Sequence, residues 1–229
     1  MEIHHNDFIQ IEFTTKIKAT GQVIDTTNPE IAKRAGLNKK NIKPIIICVG
    51  QGSLLKSVET RLEGKPIGQP LVLEIEAGQA YGQRNASLIT VIPVLKFTKE
   101  KINPFPGLVV NVDGKIGAIK SVTSGRVRVD FNHPLAGKDL VFDIMPLKKI
   151  ESKEEQVTAV IGSLFNIPES AIHIKVATES IEINLPYSIK KEGEQILEDQ
   201  IKQVIKGIKK ISFTYSKINE SVTNTPTKE

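Results

Sequence analysis

Ile45-Ile46-Ile47-Cys48-Val49-Gly50-Gln51-Gly52-Ser53-Leu54-Leu55-Lys56-Ser57-Val58-Glu59-Thr60-Arg61-Leu62-Glu63-Gly64 changes its period halfway along. The first five residues are an unbroken apolar run, short enough for a buried strand. Gly50-Gln51-Gly52 breaks that run. Ser53 stands where a helix cap belongs, Leu54, Leu55, Val58 and Leu62 repeat at helical spacing, and Gly64 supplies a stop. The stretch predicts a buried strand that feeds one short helix.

Strand patterns surround it. Upstream, Ile9, Ile11 and Phe13 alternate with Gln10, Glu12 and Thr14, as in a half-buried strand. Ala19 to Gln22 reads as a turn and Val23-Ile24-Asp25 as the return strand. Residues 26–44 read as a long polar loop with a short helix at Pro29 to Arg34, because proline suits a first helical position. Downstream, Pro66 to Pro70 is a turn, and Leu71, Leu73 and Ile75 alternate as another strand. Residues 85–106 change texture, with Pro93, Pro104 and Pro106 around the apolar Val94-Leu95-Lys96-Phe97. A three-stranded meander is expected next: Leu108 to Val112, Ile116 to Val122 and Val127 to Phe131, turning at Asp113-Gly114 and Ser124-Gly125. Leu140 to Leu147 closes the sheet. A charged segment, Lys148 to Glu155, reads as a domain boundary. Beyond it the order α-β-β-α-β predicts a small α+β domain, with Leu197, Ile201, Val204, Ile205 and Ile208 on its second helix face. Residues 219–229 read as a disordered polar tail.

Composition bounds the chemistry. The chain has 229 residues, 39% apolar and 25% charged, with no tryptophan, so its cores rest on Ile, Val and Leu. The lone Cys48 rules out an internal disulfide and reads as buried filler. No basic start leads into an apolar leader, and no apolar stretch approaches a membrane span, so a soluble cytoplasmic protein without a membrane partner is expected. The net charge of +5 is uneven: residues 1–150 carry 21 basic and 14 acidic groups, residues 151–229 carry 10 and 12. Residues 84–132 alone hold 8 basic and 3 acidic groups, a patch that suits nucleic acid or a ribosomal surface, or is simply a solvated face. No phosphate-binding glycine loop or Cys-x-x-Cys pair is present, and His4, His5, His133 and His173 are scattered. Neither a metal site nor a nucleophilic triad is expected, nor any cofactor. Asp25 and Tyr81 stand out as polar groups beside apolar strand sequence; taken alone, each is an ordinary hydrogen-bonding residue.

Three segments read together carry a resemblance. Val49 to Glu59 with Leu62-Glu63-Gly64, then Ala80-Tyr81-Gly82-Gln83 after an acidic strand, then Asn132-His133-Pro134-Leu135-Ala136-Gly137-Lys138-Asp139-Leu140-Val141-Phe142 resemble, in this order, the FKBP-type peptidyl-prolyl cis/trans isomerases. About fifty residues separate the last two segments, where a short FKBP has a brief flap. That spacing, with Val91-Ile92-Pro93 at the start of the gap, is similar to the SlyD branch, whose flap carries an inserted domain.

The resemblance covers roughly residues 3–150 and implies an antiparallel half-barrel wrapped around a short helix, with a small β-rich insert; with the C-terminal α+β domain read from its element order, an α+β fold is expected. The expected boundaries are 1–84 with 132–151 for the isomerase and 85–131 for the insert, and, from the sequence pattern alone, 152–218 for the C-terminal domain. It implies a proline pocket lined by Phe13, Ile47, Leu54, Leu55, Val58 and Phe142. The Leu55 N–H would hold the substrate chain, the Tyr81 hydroxyl would donate to a substrate carbonyl, and Asp25 would orient polar groups at the wall. Valine at 58 and phenylalanine at 13 depart from the tryptophan and tyrosine of many family members. In the insert, Leu95, Phe97 and Leu108, with Ile102, Phe105 and Val109, either bind unfolded clients or form the module's own core. The implied partners are unfolded or nascent proline-containing chains, with the ribosome and a homodimer through the C-terminal domain as further candidates. The competing expectation is a non-catalytic holdase or ribosome-associated binding module.

Overall fold

The computed structural model describes residues 1–39, 41–165 and 167–216; the expected tail at 219–229 lies outside them. The first strand, β1 (Phe8–Ile17), runs on past the alternating segment through Thr14, Thr15 and Ile17, β-branched residues that suit a pleated surface. It is followed by β2 (Val23–Thr26) and α1 (Pro29–Arg34). Asn28 caps α1, its side-chain oxygen accepting from Glu30 N at 3.0 Å and Ile31 N at 3.1 Å, with Pro29 at the first helical position. Next come β3 (Ile45–Cys48), α2 (Lys56–Leu62) and β4 (Leu71–Ile75).

The central helix starts later than its sequence suggests. Leu55, not Ser53, is the residue before its first turn, and no side chain caps it in the usual way. The physical reason lies one turn inside, where the Glu59 carboxylate takes the preceding amides, as described below.

The insert region holds β5 (Ile89–Pro93), α3 (Val94–Lys99), β6 (Val109–Val112), β7 (Lys115–Thr123) and β8 (Arg126–Asp130). It is a four-stranded antiparallel sheet in the order β5-β8-β7-β6, one strand more than the expected meander. The added strand, β5, reads as featureless apolar sequence until β8 pairs with it from Ile89↔Asp130 to Pro93↔Arg126. Ile92, Phe97, Val110, Ile119, Val127 and Val129 form its core.

Then β9 (Leu140–Lys149) completes a five-stranded sheet in the order β2-β1-β9-β4, with β3 paired to β1. The C-terminal part contains α4 (Lys153–Phe165), β10 (His173–Val176), β11 (Ser180–Leu185), α5 (Lys191–Val204) and β12 (Lys210–Tyr215). Its sheet order is β10-β11-β12. β11 and β12 are parallel, which requires a crossover, and α5 provides it. α5 stops at Val204, so the apolar Ile205 and Ile208 are buried from the turn beyond it rather than from the helix face.

The chain divides into two compact units. One takes Met1–Lys16, Gln22–Leu73 and the chain from Phe142 on; the other takes Ile17–Gly21 and Glu74–Val141. In the first, one continuous apolar core joins Phe8, Cys48 and Ile150 to Val157, Val160, Ile161, Ile183, Leu197 and Ile201. The charged Lys148 to Glu155 segment thus contributes Ile150 to a core that also takes Phe8 and Cys48, while the buried Phe13, Ile47, Val58 and Phe142 lie outside that core. Among the described residues no helix is long and apolar enough to cross a membrane.

Candidate functional site

In the first unit, the Thr26–Thr27 segment holds the backbone of Phe13 at both its N–H and its carbonyl. Its N–H donates to Thr27 Oγ1 at 2.8 Å, and its carbonyl accepts from Thr27 N at 2.9 Å and from the Thr26 and Thr27 hydroxyls at 3.1 and 3.3 Å. Thr14 and Thr26 share a further hydroxyl contact at 2.8 Å. Buried hydroxyls thus spend their hydrogen bonds fixing one strand position. Asp25, half-buried on β2, accepts from Thr26 N at 2.7 Å and from Lys39 Nζ at 2.5 Å. Its carboxylate is therefore already engaged by a cation and its own backbone.

The Gly50–Leu54 segment is shaped by Glu59, which is 2% exposed. Its Oε2 accepts from Gly50 N at 2.9 Å and Gly52 N at 3.0 Å, and its Oε1 from Leu54 N at 2.7 Å. Three amides compensate the burial of one carboxylate. Gly50 has φ +89, which strains any residue with a side chain, and a Cβ there would lie 2.0 Å from the His5 ring and displace it. The segment delivers Leu55 with its carbonyl used by Val58 N and Glu59 N, and with its own N–H unpaired among the described residues.

The apolar candidates Phe13, Ile47, Val58 and Phe142 are all buried, and Leu54 and Leu55 are half-buried. A hollow of about 330 Å³ beside Phe13 is lined by Glu12, Thr14, Ile31, Leu71, Asp143 and Met145 among others, and contains none of the other candidates. A second, of about 140 Å³, lies between the Gln51–Ser53 segment and α4 and α5. Cys48 is at its wall; burial first, then Glu59 and Asp7, push the thiol up to about 12, so it is an inert side chain.

In the second unit, Tyr81 is 40% exposed. Its ring stacks on that of His133, centroids 4.2 Å apart and planes 4° from parallel. His133 Nδ1 accepts from Leu135 N at 3.1 Å, which leaves the proton on Nε2 in the neutral ring. Two further ties fix the same segment: Gly137 N donates to Gly82 O at 2.8 Å, and Ala77 N to Asp139 Oδ1 at 2.8 Å. The return loop thus holds the Ala77–Gly82 segment at three points, one of them the tyrosine ring, while the tyrosine hydroxyl itself has no partner among the described residues. His133 and Asp139 lie in the quoted return segment, but nothing local in the sequence gives them a role, because their partners lie more than fifty positions upstream.

Within the insert, Phe97 is 2% exposed and belongs to the module's core, with Ile102 and Leu108 packed against it. Leu95, Phe105 and Val109 are exposed at 67, 54 and 65%. The single set of candidates therefore divides between core and surface.

Residues 90–135 match the family model described as FKBP26, IF domain. Over 144 residues the chain is 32% identical to a short-type peptidyl-prolyl cis-trans isomerase of Methanocaldococcus jannaschii, covering 62% of this chain and 90% of that one. The chain belongs to the FKBP-type peptidyl-prolyl cis-trans isomerases. It is also 28% identical over 151 residues to an FKBP-type 16 kDa isomerase of Escherichia coli, which covers 64% of this chain and 93% of that one. To SlyD of Aeromonas hydrophila it is 27% identical over 146 residues, 63% of each chain. With the insert match, this makes it a long, SlyD-like FKBP and an isomerase of prolyl bonds.

For an FKBP-type enzyme the barrier is rotation about a partial double bond, about 18–20 kcal/mol. No covalent bond breaks, so the reaction calls for donors and a dry surface rather than a nucleophile. An acceleration of a thousandfold needs about 4 kcal/mol, within reach of desolvation and one or two hydrogen bonds.

Proposed function

We propose that the enzyme turns prolyl bonds in an apolar cleft of Phe13, Ile47, Leu54, Leu55, Val58 and Phe142, while the flap insert holds unfolded clients nearby. Loss of amide conjugation in the twisted state makes that state less polar, so an apolar cleft favours it. The Leu55 N–H holds the chain beside proline, and the Tyr81 hydroxyl donates to a neighbouring carbonyl. Asp25 keeps the wall of the cleft in order through Thr26 and Lys39. The observation that carries this reading is the pair of donors without an acceptor among the described residues, the Leu55 N–H and the Tyr81 hydroxyl. A half-buried amide without a partner is costly unless a ligand fills the role.

The exposed Leu95, Phe105 and Val109 support client binding by the insert at residues 85–131, with Phe97 in its core and Leu108 packed against that core. A client held on the same chain as the cleft meets it at a raised local concentration, so sequence tolerance is broad. This reading places the protein in the cytoplasm, among nascent chains and at the ribosome. Homodimers through the C-terminal domain, residues 152–218, would use β12, which pairs on one side only.

The test is a proline-peptide assay beside catalysed refolding of a proline-limited protein. Tyr81→Phe is expected to lower kcat/KM by about fivefold, one neutral hydrogen bond. Replacing residues 85–131 with a short loop is expected to keep peptide isomerisation and lose most of the refolding activity. If the deletion refolds the client as fast as the full chain, the insert holds nothing; if the parent is no faster than buffer on peptides, a holdase is left.

A further inference from the structure

We infer that the open face of the insert's sheet selects client segments in which carboxylates flank apolar residues. This rests on the reading that the insert holds unfolded chains, and narrows it to a class of client.

Strand register defines the face. Directly opposed residues share a side of an antiparallel sheet, and neighbours along a strand alternate. Val127 and Val129 point into the core with Phe97 of α3. The opposite side therefore carries Arg126 and Arg128 of β8, with Pro93 and Val91 facing them from β5, and Thr123 and Ser121 from β7. On the far strands the same side carries Ile116, opposite Asn111, and Val109, opposite Ala118. Val91, Val109 and Ile116 are 56, 65 and 64% exposed. Exposed aliphatic side chains thus stand at both margins of the sheet, with a pair of arginines between them.

Asp130, on the same side two residues beyond Arg128, is taken by Arg84 and Lys120, which leaves the two arginines of this face without an acidic partner among the described residues. Lys120 pairs with Asp130, at 3.7 Å, and Lys96, on the α3 side, with Asp113 at 2.6 Å. Arg126 and Arg128, like Lys99, Lys101 and Lys115, have no acidic partner among the described residues. An exposed guanidinium beside an aliphatic patch accepts a carboxylate in a forked pair without losing the apolar contact. Such complementarity sets selectivity and encounter rate more than total affinity. Nucleic acid is the competing occupant for positive charge, but this face has no aromatic side chain on which a base could stack; the exposed Phe105 lies in the loop before β6.

The experiment compares three labelled, unstructured peptides with one apolar centre, flanked by glutamate, glutamine or lysine, and a single-stranded oligouridylate. Each is titrated into the full chain and into Arg126→Gln/Arg128→Gln, at low and high salt. Both arginines are exposed, so the variant removes charge without opening a core. The glutamate-flanked peptide is expected to bind about tenfold tighter than the lysine-flanked one at low salt, from a few screened pairs. That preference is expected to shrink in high salt and in the variant, while the glutamine-flanked peptide binds both proteins alike. Equal affinity for all three peptides overturns the acidic preference and leaves client holding intact. No binding of any peptide overturns client holding and the inference together. Tighter binding of oligouridylate than of the acidic peptide, lost in the same variant, overturns it in favour of nucleic acid.

Discussion

Glu59 shows what one side chain does for a loop. Its two oxygens take three amides from a segment that twice enters left-handed conformation, at Gly50 (φ +89) and Gly52 (φ +79). Glutamine at this position keeps the volume but offers one acceptor oxygen, and its NH2 faces an amide donor. Glu59→Gln is expected to destabilise the protein by about 2 kcal/mol, the cost of stranding a buried donor. Amide exchange in Gly50–Leu54 should rise more than exchange in β1, and, on the proposed role of the Leu55 N–H, catalysis should fall with it. Unchanged exchange in that segment would remove Glu59 from this role. Little of this is legible in the sequence. Ser53 has the right residue type to cap, and a glutamate beside an apolar stripe reads as solvent-facing. The carboxylate wins because glycine torsions bend the chain back over α2, and such torsions are not visible in composition. Phe13, Val58 and Phe142 were legible as apolar candidates, whereas the threonine hydroxyls around Phe13 depend on the register of β1 against β2.

At the scale of elements, the insert is tied where the chain enters and leaves it. Asp130, at the end of β8, receives Arg84 and Lys120 on one oxygen and Asn132 N and Nδ2 on the other, at 3.0 and 2.7 Å. Asn132 in turn accepts from Asn85 N and donates to Asn85 O, at 2.8 and 2.9 Å. Burial acts to raise the Asp130 carboxyl, but the Asn132 donors, with Arg84 and Lys120, outweigh it and hold it below the usual carboxylate range. A depressed folded-state pKa contributes stability that is present above the unfolded value, about 3.9, and is lost as pH falls through the folded one. The clasp therefore holds at neutral pH and loosens only in acid. Asp130→Asn is expected to loosen the insert by about 1–2 kcal/mol at neutral pH, discounted because both cations are half exposed. It should also flatten the acid limb of stability. Hydrogen exchange of β5 and β8 at neutral and acid pH measures both effects, and parent-like protection in the variant at neutral pH would count against the clasp. The hairpin inside this module was plain from Asp113-Gly114, whose φ values of +53 and +81 suit a two-residue turn between twisted strands. β5 was not, since a strand next to a proline declares itself only through its partner.

Across the whole molecule, charge pattern and packing disagree about where one folding unit ends. Lys148 to Glu155 has the composition of a linker, yet Ile150 within it is 3% exposed and shares a core with Phe8 of β1, Cys48 of β3 and Val157, Val160 and Ile161 of α4. A charged surface on a segment says nothing of the single apolar residue that turns inward, so periodicity alone could not reveal this continuity. If the core is shared, damage in α4 must travel to the isomerase strands. Val160→Ala removes two methyl groups from a side chain that is 4% exposed, expected to cost about 1–3 kcal/mol. Because β3 pairs with β1 from Phe8↔Cys48 to Ile11↔Ile45, the amides of those strands should lose protection together with those of α4, in one denaturant transition. An independent C-terminal domain predicts the opposite: α4 and β10–β12 loosen in the variant while β1 and β3 keep their protection. That second pattern in an exchange experiment on the full chain would refute the shared core. The first would make the C-terminal elements a buttress for the strands that carry Phe13 and Ile47, so that truncation near residue 151 would lower isomerase stability as well as removing a domain.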